Sequence, residues 1–219
     1  MQTLTVLFCR AAFALLLLAA ATASCAHAAP VDAGLARHLL NRLGYGPAPG
    51  EVARVRAMGV RAYVDSQLAP PPVPPRLDAL SGPGVPAHEE ALLLAIASPR
   101  QLEEVLAGFW QDYFKEEDSA RRALRPHVLG RYAELRAALG QQARGQGGPV
   151  PGGSERAALA AGLRYFIDAP SASLQRSVAQ AWKGTRGDQR AVLRLLLTSP
   201  EFLAQAQWNS KTKDGFRFV

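Results

Sequence analysis

The chain reads as all-α: a multi-helix bundle-like domain whose helices are joined by Pro-rich and Gly-rich loops. Three observations lead there. Apolar residues recur at helical spacing along nearly the whole length, Asp, Ser and Gly-Pro signals stand at the ends of those runs, and no stretch alternates β-branched with polar residues between turns as a sheet requires.

Ala11 to Ala23 is almost wholly apolar, Arg10 precedes it, and Ala26-His27-Ala28 supplies a small-x-small cleavage pattern, so residues 1–28 are expected to be an export signal cut after Ala28. A run of about 13 apolar residues is too short to span a bilayer, which needs about 20, and no other segment is long and apolar enough. A second reading makes Cys25 a lipid-anchored residue. Cys9 and Cys25 are the only cysteines in the chain, and cleavage after Ala28 removes both. The mature protein would then hold no disulfide, thiolate-bound metal or thiol nucleophile. Arg10 is the one charge in the leader, so its loss lowers the net charge of +7 by one. The arginines are scattered through the helical segments rather than gathered in a basic stripe interleaved with aromatics, so nucleic acid is not an expected partner.

Three blocks follow the leader: an N-terminal helical block over 29–139, a Gly-rich linker over 140–153, and a C-terminal helical block over 154–219 that packs on the first. Asp32 caps a helix running to Leu43, ended by Gly44-Tyr45-Gly46-Pro47, because Gly accepts left-handed backbone and Pro47 blocks continuation. A helix over Pro49 to Met58 stops at Gly59, and Val60 to Leu68 makes a third. Ala69 to Pro75 contains five prolines, which fix φ and remove backbone donors, so an extended spacer is expected.

The clearest helix is expected to start at Ser98-Pro99. Leu102, Val105, Leu106, Phe109, Trp110, Tyr113 and Phe114 form one broad apolar stripe, and Glu103, Glu104, Gln111, Asp112 and Lys115 form a water-facing side. A second helix over Arg125 to Leu139 presents Val128, Leu129, Tyr132, Leu135 and Leu139, and the two are expected to pair antiparallel. The stretch Gly140 to Gly153 has almost no apolar content and is read as flexible. Beyond it, Ser154 caps a helix with Leu159, Leu163, Phe166 and Ile167 inward, and Leu174, Val178 and Trp182 line the next. Asp188 caps a helix bearing Val192, Leu193 and Leu195 to Leu197, and Ser199-Pro200 starts a last helix to Trp208.

The order of these landmarks resembles the family called domain of unknown function 1800 (DUF1800). His38 to Pro47 is similar to its opening motif of a leucine pair, an arginine and an aromatic-Gly-Pro turn, and Val60 to Pro70 to the following segment ending Gln-Leu-Ala-Pro. Phe109-Trp110-Gln111-Asp112-Tyr113-Phe114 matches the place of a Phe-Trp-x-Asn-His-Phe motif, and Arg125 to Tyr132 the helix start after it. Arg164 to Ile167, Gly187-Asp188, Leu197 to Phe202 and the tail Lys211 to Val219 resemble its far end. Asp112-Tyr113 departs from the Asn-His of the motif and removes an imidazole. The family's central acidic, arginine-containing helix and Gly-Trp motif have no counterpart here, so the resemblance implies a shortened member with the activity of longer relatives in doubt. It also implies a second exported protein as partner.

The chemistry on offer is sparse. Asp112 and Glu116, at i and i+4, are the spacing that suggests a carboxylate pair or a hard-cation site, against a solvated acidic face beside Arg121 and Arg122. His38, His88 and His127 stand in separate segments, so a zinc site would need tertiary assembly. Trp110 and Tyr113 could stack a sugar, but their spacing with Leu106 and Phe114 assigns them to the core. There is no nucleophile elbow and no phosphate-binding Gly motif. No residue is therefore assigned a catalytic, cofactor-binding or metal role, and no cofactor is expected. The expected function is a non-enzymatic binding or scaffold role for an exported helical protein of the cell envelope. A metal-assisted envelope enzyme using Asp112, Glu116 and one histidine is the second reading, and a decayed fragment of a longer protein the third.

Overall fold

A computed structural model describes residues 30–82, 84–145, 152–208 and 210. The leader with Cys9, Cys25 and its cleavage site, residues 146–151 of the connector, and the tail 211–219 lie outside them.

The described residues form twelve α-helices and no strand. In chain order these are α1 Ala33–Leu43, α2 Glu51–Met58, α3 Val60–Leu68, α4 Pro75–Ala79, α5 Ala87–Ala97, α6 Gln101–Phe114, α7 Asp118–Leu124, α8 Tyr132–Gly145, α9 Glu155–Phe166, α10 Ala172–Gly184, α11 Gln189–Leu197 and α12 Pro200–Leu203. Short 3-10 turns occupy Arg125–His127 and Gln205–Gln207. No described helix is long and apolar enough to cross a membrane.

Several ends are set where the local code puts them. Asp32 Oδ1 accepts from Gly34 N at 2.7 Å and Leu35 N at 3.2 Å, satisfying two first-turn donors of α1. Ser154, Ser171, Asp188 and Ser199 cap α9 to α12 in the same way. Gly59 divides α2 from α3 at φ 84°, which a side chain would resist.

Other expectations are corrected. The helix placed at Ser98-Pro99 starts at Gln101. Ser98 Oγ takes Arg100 N at 3.1 Å, and the first-turn donor Leu102 N goes to Gln67 Oε1 on α3 at 3.1 Å. The helix placed over Arg125 to Leu139 is broken. Arg125–His127 is a 3-10 turn, and α8 begins only at Tyr132, whose N–H bonds Gly187 O at 2.9 Å while Gln189 N bonds Gly130 O at 3.0 Å. That two-rung ladder turns the chain out of the helical path. The Gly-rich stretch placed at 140–153 is helical to Gly145, with Gly140 and Ala143 buried, because Leu139, Gly140 and Ala143 continue the inward face of α8. The last helix, expected to reach Trp208, is one turn followed by a 3-10 turn. Two helices, α4 and α5, sit in a stretch where none was foreseen.

Helix α6 is the hub, touched by α1, α3, α5, α7 and α9. Leu102, Val105, Leu106, Trp110 and Phe114 of its stripe are buried. The antiparallel partnership with the following helix does not occur. Helix α7 intervenes as a crossover, and the ring contacts link Trp110 to Tyr132 and Phe114 to Arg136, in the same sense along α6 and α8.

Helices before and after residues 146–151 share one core, in which Leu39, Leu43, Leu68 and Leu102 join Phe166, Leu197 and Phe202. Polar ties fix the seam: Arg42 Nη2 donates to Phe166 O at 2.8 Å, Arg190 Nε to Leu68 O at 2.7 Å, and Gln189 Nε2 to His127 O at 3.0 Å. The first two give the carbonyls of the last residues of α9 and α3 a donor that their own helix ends lack.

Candidate functional site

The residues singled out for chemistry are not brought together. Asp112 is exposed on α6. Glu116 is not on that helix, because Lys115 turns left-handed at φ 59° and Glu116 N folds back to Gln111 O at 3.0 Å, closing a Schellman end. The i, i+4 face therefore stops short of Glu116, which corrects the carboxylate-pair reading. His88 is exposed on α5, 3.9 Å from the Glu89 carboxylate, and His127 is half-buried in the 3-10 turn. His38 is buried in α1, with Nε2 3.0 Å from Phe202 O and its ring 4.8 Å from the Phe202 ring. Burial, reinforced by the Arg42 charge and opposed by the Phe202 carbonyl, lowers its pKa from the usual 6.5 to about 4. Among the described residues no group of three His, Cys, Asp or Glu could hold a metal ion.

The charged feature that does assemble went unforeseen. Glu103, Glu104 and Gln111, assigned to a water-facing side of α6, are buried, as is Glu90 on α5. Glu90 and Glu104 are held by arginines arriving from α7 and the turn after it. Arg125 Nε lies 2.9 Å from Glu104 Oε1 and its Nη1 3.1 Å from Glu90 Oε1. Arg122 pairs with Glu90 and donates to Gly82 O at 2.7 Å. Arg121 Nη2 reaches Glu104 O at 2.9 Å and the Tyr45 hydroxyl at 2.6 Å. Burial pushes the Glu104 carboxyl pKa up while Arg125 and Arg121 pull it down, and the net direction is upward. Glu103 is likewise raised by burial, opposed by Arg100 at 2.5 Å. A signal existed in the text: Arg121 and Arg125 stand at i and i+4, and Glu90 and Glu104 each sit in an acidic pair. Nothing local said that these would meet.

Tyr45 carries this cluster to the surface. Its backbone lies in the Gly-Tyr-Gly-Pro turn, and its ring lines a groove of about 1140 Å³ bordered by that turn, α3, the proline strap and α5. Pro47, Pro71, Pro74, Tyr63, Leu92 and Ile96 make the walls, and Leu92 and Ile96 are exposed, Ile96 at 68%. Most polar lining groups are engaged within the chain. Glu51 pairs with Arg54, Ser66 Oγ donates to Tyr63 O at 2.7 Å, Gln67 bonds Leu102 N, and Gln101 Nε2 donates to Ala95 O at 2.9 Å and Ser98 O at 2.8 Å. The groove thus offers mostly apolar area, and the charged groups on it, Glu51 and Arg54, neutralise each other beside Tyr63, whose ring centroid lies 5.7 Å from the Arg54 guanidinium carbon. The buried Glu90 and Glu104 do not line it.

The family model described as protein of unknown function (DUF1800) matches residues 38–143. This segment belongs to DUF1800. No curated protein and no solved structure matches the chain. The DUF1800 segment holds the groove and the arginine–glutamate cluster entire, since every residue named above for them lies within it. The Gly-Tyr-Gly-Pro turn and the Gln-Leu-Ala-Pro ending, separate landmarks in the sequence, face the same groove through Tyr45, Pro47 and Gln67. The likenesses read at 164–202 lie beyond the matched DUF1800 residues.

Proposed function

We propose that this protein is an exported, shortened DUF1800 member that works without catalysis, holding an uncharged apolar segment of another exported polypeptide in the groove between the Tyr45 turn and α5. The groove's internally satisfied polar lining carries the reading. A site built to orient a reacting substrate aims unpaired polar groups at it. Here the Glu51, Arg54, Ser66, Gln67 and Gln101 side chains already have partners within the chain, so an occupant is gripped mainly by apolar contact. At about 1140 Å³ the groove also exceeds the roughly 300–1,000 Å³ usual for a small-molecule pocket. The Glu51–Arg54 pair is self-neutralising, with 2.5 Å between its atoms, so the groove favours an uncharged partner segment.

The test places a photo-crosslinking side chain at Ile96, and separately at Leu80, an exposed apolar position outside the groove. Cells expressing the full chain are irradiated and the joined peptides sequenced. The proposal expects Ile96, and not Leu80, to join one apolar, uncharged stretch of an exported protein, and a synthetic peptide of that stretch to bind purified protein but not its Leu92→Asp variant. Adducts formed equally from both positions, or to a charged segment, overturn it. Export is read in the same cells from the N-terminus: a chain starting after Ala28 supports it, an acylated Cys25 replaces it with the anchored form, and an intact leader in the cytoplasm ends it.

A further inference from the structure

Where α6 packs against α8, three buried hydrogen-bond donors have no acceptor among the described residues. Trp110 and Phe114 on α6 face Tyr132 and Arg136 on α8, each pair spaced i, i+4 so that its members share a helix face. The Trp110 and Tyr132 rings are 5.5 Å apart, the Trp110 and Phe114 rings 5.6 Å, and the Arg136 guanidinium carbon is 5.1 Å from the Phe114 centroid. Trp110 is 4% and Tyr132 2% exposed. Within this knot, Trp110 Nε1, the Tyr132 hydroxyl and Arg136 Nη1 are buried and bonded to nothing among the described residues.

Buried donors are almost always partnered, because each one left unsatisfied costs about 1–3 kcal/mol and a charged one more. An indole N–H and a guanidinium cannot accept a bond, so rearranging these groups among themselves leaves the Trp110 and Arg136 donors unmet unless Tyr132 takes one of them. The neighbouring indole, Trp182, differs in this respect, since its Nε1 donates to Glu155 Oε2 at 3.2 Å. Glu155 supplies the nearby negative charge and Arg136 the positive one, and both act on the Tyr132 hydroxyl. Glu155 is exposed and accepts from Trp182, whereas Arg136 is the cation that acts on the Tyr132 hydroxyl.

We propose that Trp110, Tyr132 and Arg136 form a binding site for one small oxyanion, a carboxylate or a phosphate, whose oxygens accept from the three donors. The shared chemistry is a compact anion with two or more acceptor oxygens, and the two sources are separated by the titrant.

The experiment follows the Trp110 indole N–H by nitrogen-15 NMR of the mature chain, assigned with Trp110→Phe, during titration with acetate, with inorganic phosphate and with chloride at matched ionic strength. A saturable shift with acetate or phosphate and not with chloride is the expected result, and the ion giving it names the class. Tyr132→Phe and Arg136→Met keep the packing, and each should weaken the oxyanion about tenfold or more while circular dichroism shows the fold intact. An indole signal that ignores both oxyanions, meaning an ordered water only, overturns the site. A shift identical with chloride, or one unchanged in both variants, overturns it equally. Neither result bears on the groove at Ile96.

Discussion

Arg125 holds Glu104 in a two-oxygen grip, its Nε 2.9 Å from one carboxylate oxygen and 3.2 Å from the other, with Glu104 1% exposed. The same guanidinium reaches Glu90, so one side chain from a 3-10 turn joins α5 to α6. Removing it leaves two buried carboxylates with weakened or more distant partners. Arg125→Met is expected to lower unfolding free energy by about 3 kcal/mol or more in a urea titration. Arg125→Met combined with Glu104→Met should be less destabilised than Arg125→Met alone, because the stranded charge is gone. A double variant that loses the sum of the two single losses would show that the pair does not couple.

His38 makes stability fall on acidification. Its pKa is about 4 in the fold against 6.5 when free, so between those values the unfolded chain takes up the proton first. Unfolding is then favoured as pH drops from 6.5 toward 4, by about 3 kcal/mol across the window, and the effect is absent above 6.5. Glu103 and Glu104 act in the opposite sense: their raised pKa values mean the fold takes the proton first, adding stability as pH falls. The difference between wild type and His38→Gln cancels those carboxylates. It should be flat above pH 6.5 and narrow steadily below it; a constant difference from pH 7 to pH 4 would sink the assignment.

Lys115 ends α6 at φ 59°, and Arg186 sits at φ 56° before α11. A side chain in this region costs about 1–2 kcal/mol, part of which glycine's greater unfolded freedom gives back. Lys115→Gly should therefore raise the urea midpoint, with a gain of about 0.5–1 kcal/mol. A decrease would mean that the Lys115 side chain contributes more than its backbone costs.

Ala143 tests where the connector begins. Its inward place on α8 makes Ala143→Pro costly by about 3 kcal/mol, since proline removes the helical N–H and clashes with the turn before it. A true glycine tether would tolerate the change within about 0.5 kcal/mol, which thermal melts resolve.

Much of this fold was legible because its signals are local. The Asp32, Ser154, Asp188 and Ser199 caps and the Leu102-to-Phe114 stripe depend on residues within a turn or two of one another, and helix geometry alone decides them. The end of α6 was not legible: a lysine takes the left-handed position where glycine is the usual sign. The helicity of Gly140 to Gly145 was hidden in the same way, because composition argued for a coil and only the burial of Ala143 against the core holds it helical. The candidate site was legible in pieces. The Tyr45 turn and the Gln67-to-Pro70 ending stood out as motifs, but their convergence on one groove with α5 depends on contacts 20 to 50 residues apart.

The sequence by itself determined the all-α class, most helix starts and the apolar face of the central helix, since propensity, capping and period are properties of short segments. Only the tertiary structure decided that Glu90, Glu103 and Glu104 are interior, that Asp112 and Glu116 part company, and that Trp110 meets Tyr132 and Phe114 meets Arg136. A charge is buried or solvated according to which partner arrives from elsewhere in the chain, and no periodicity within one helix carries that information.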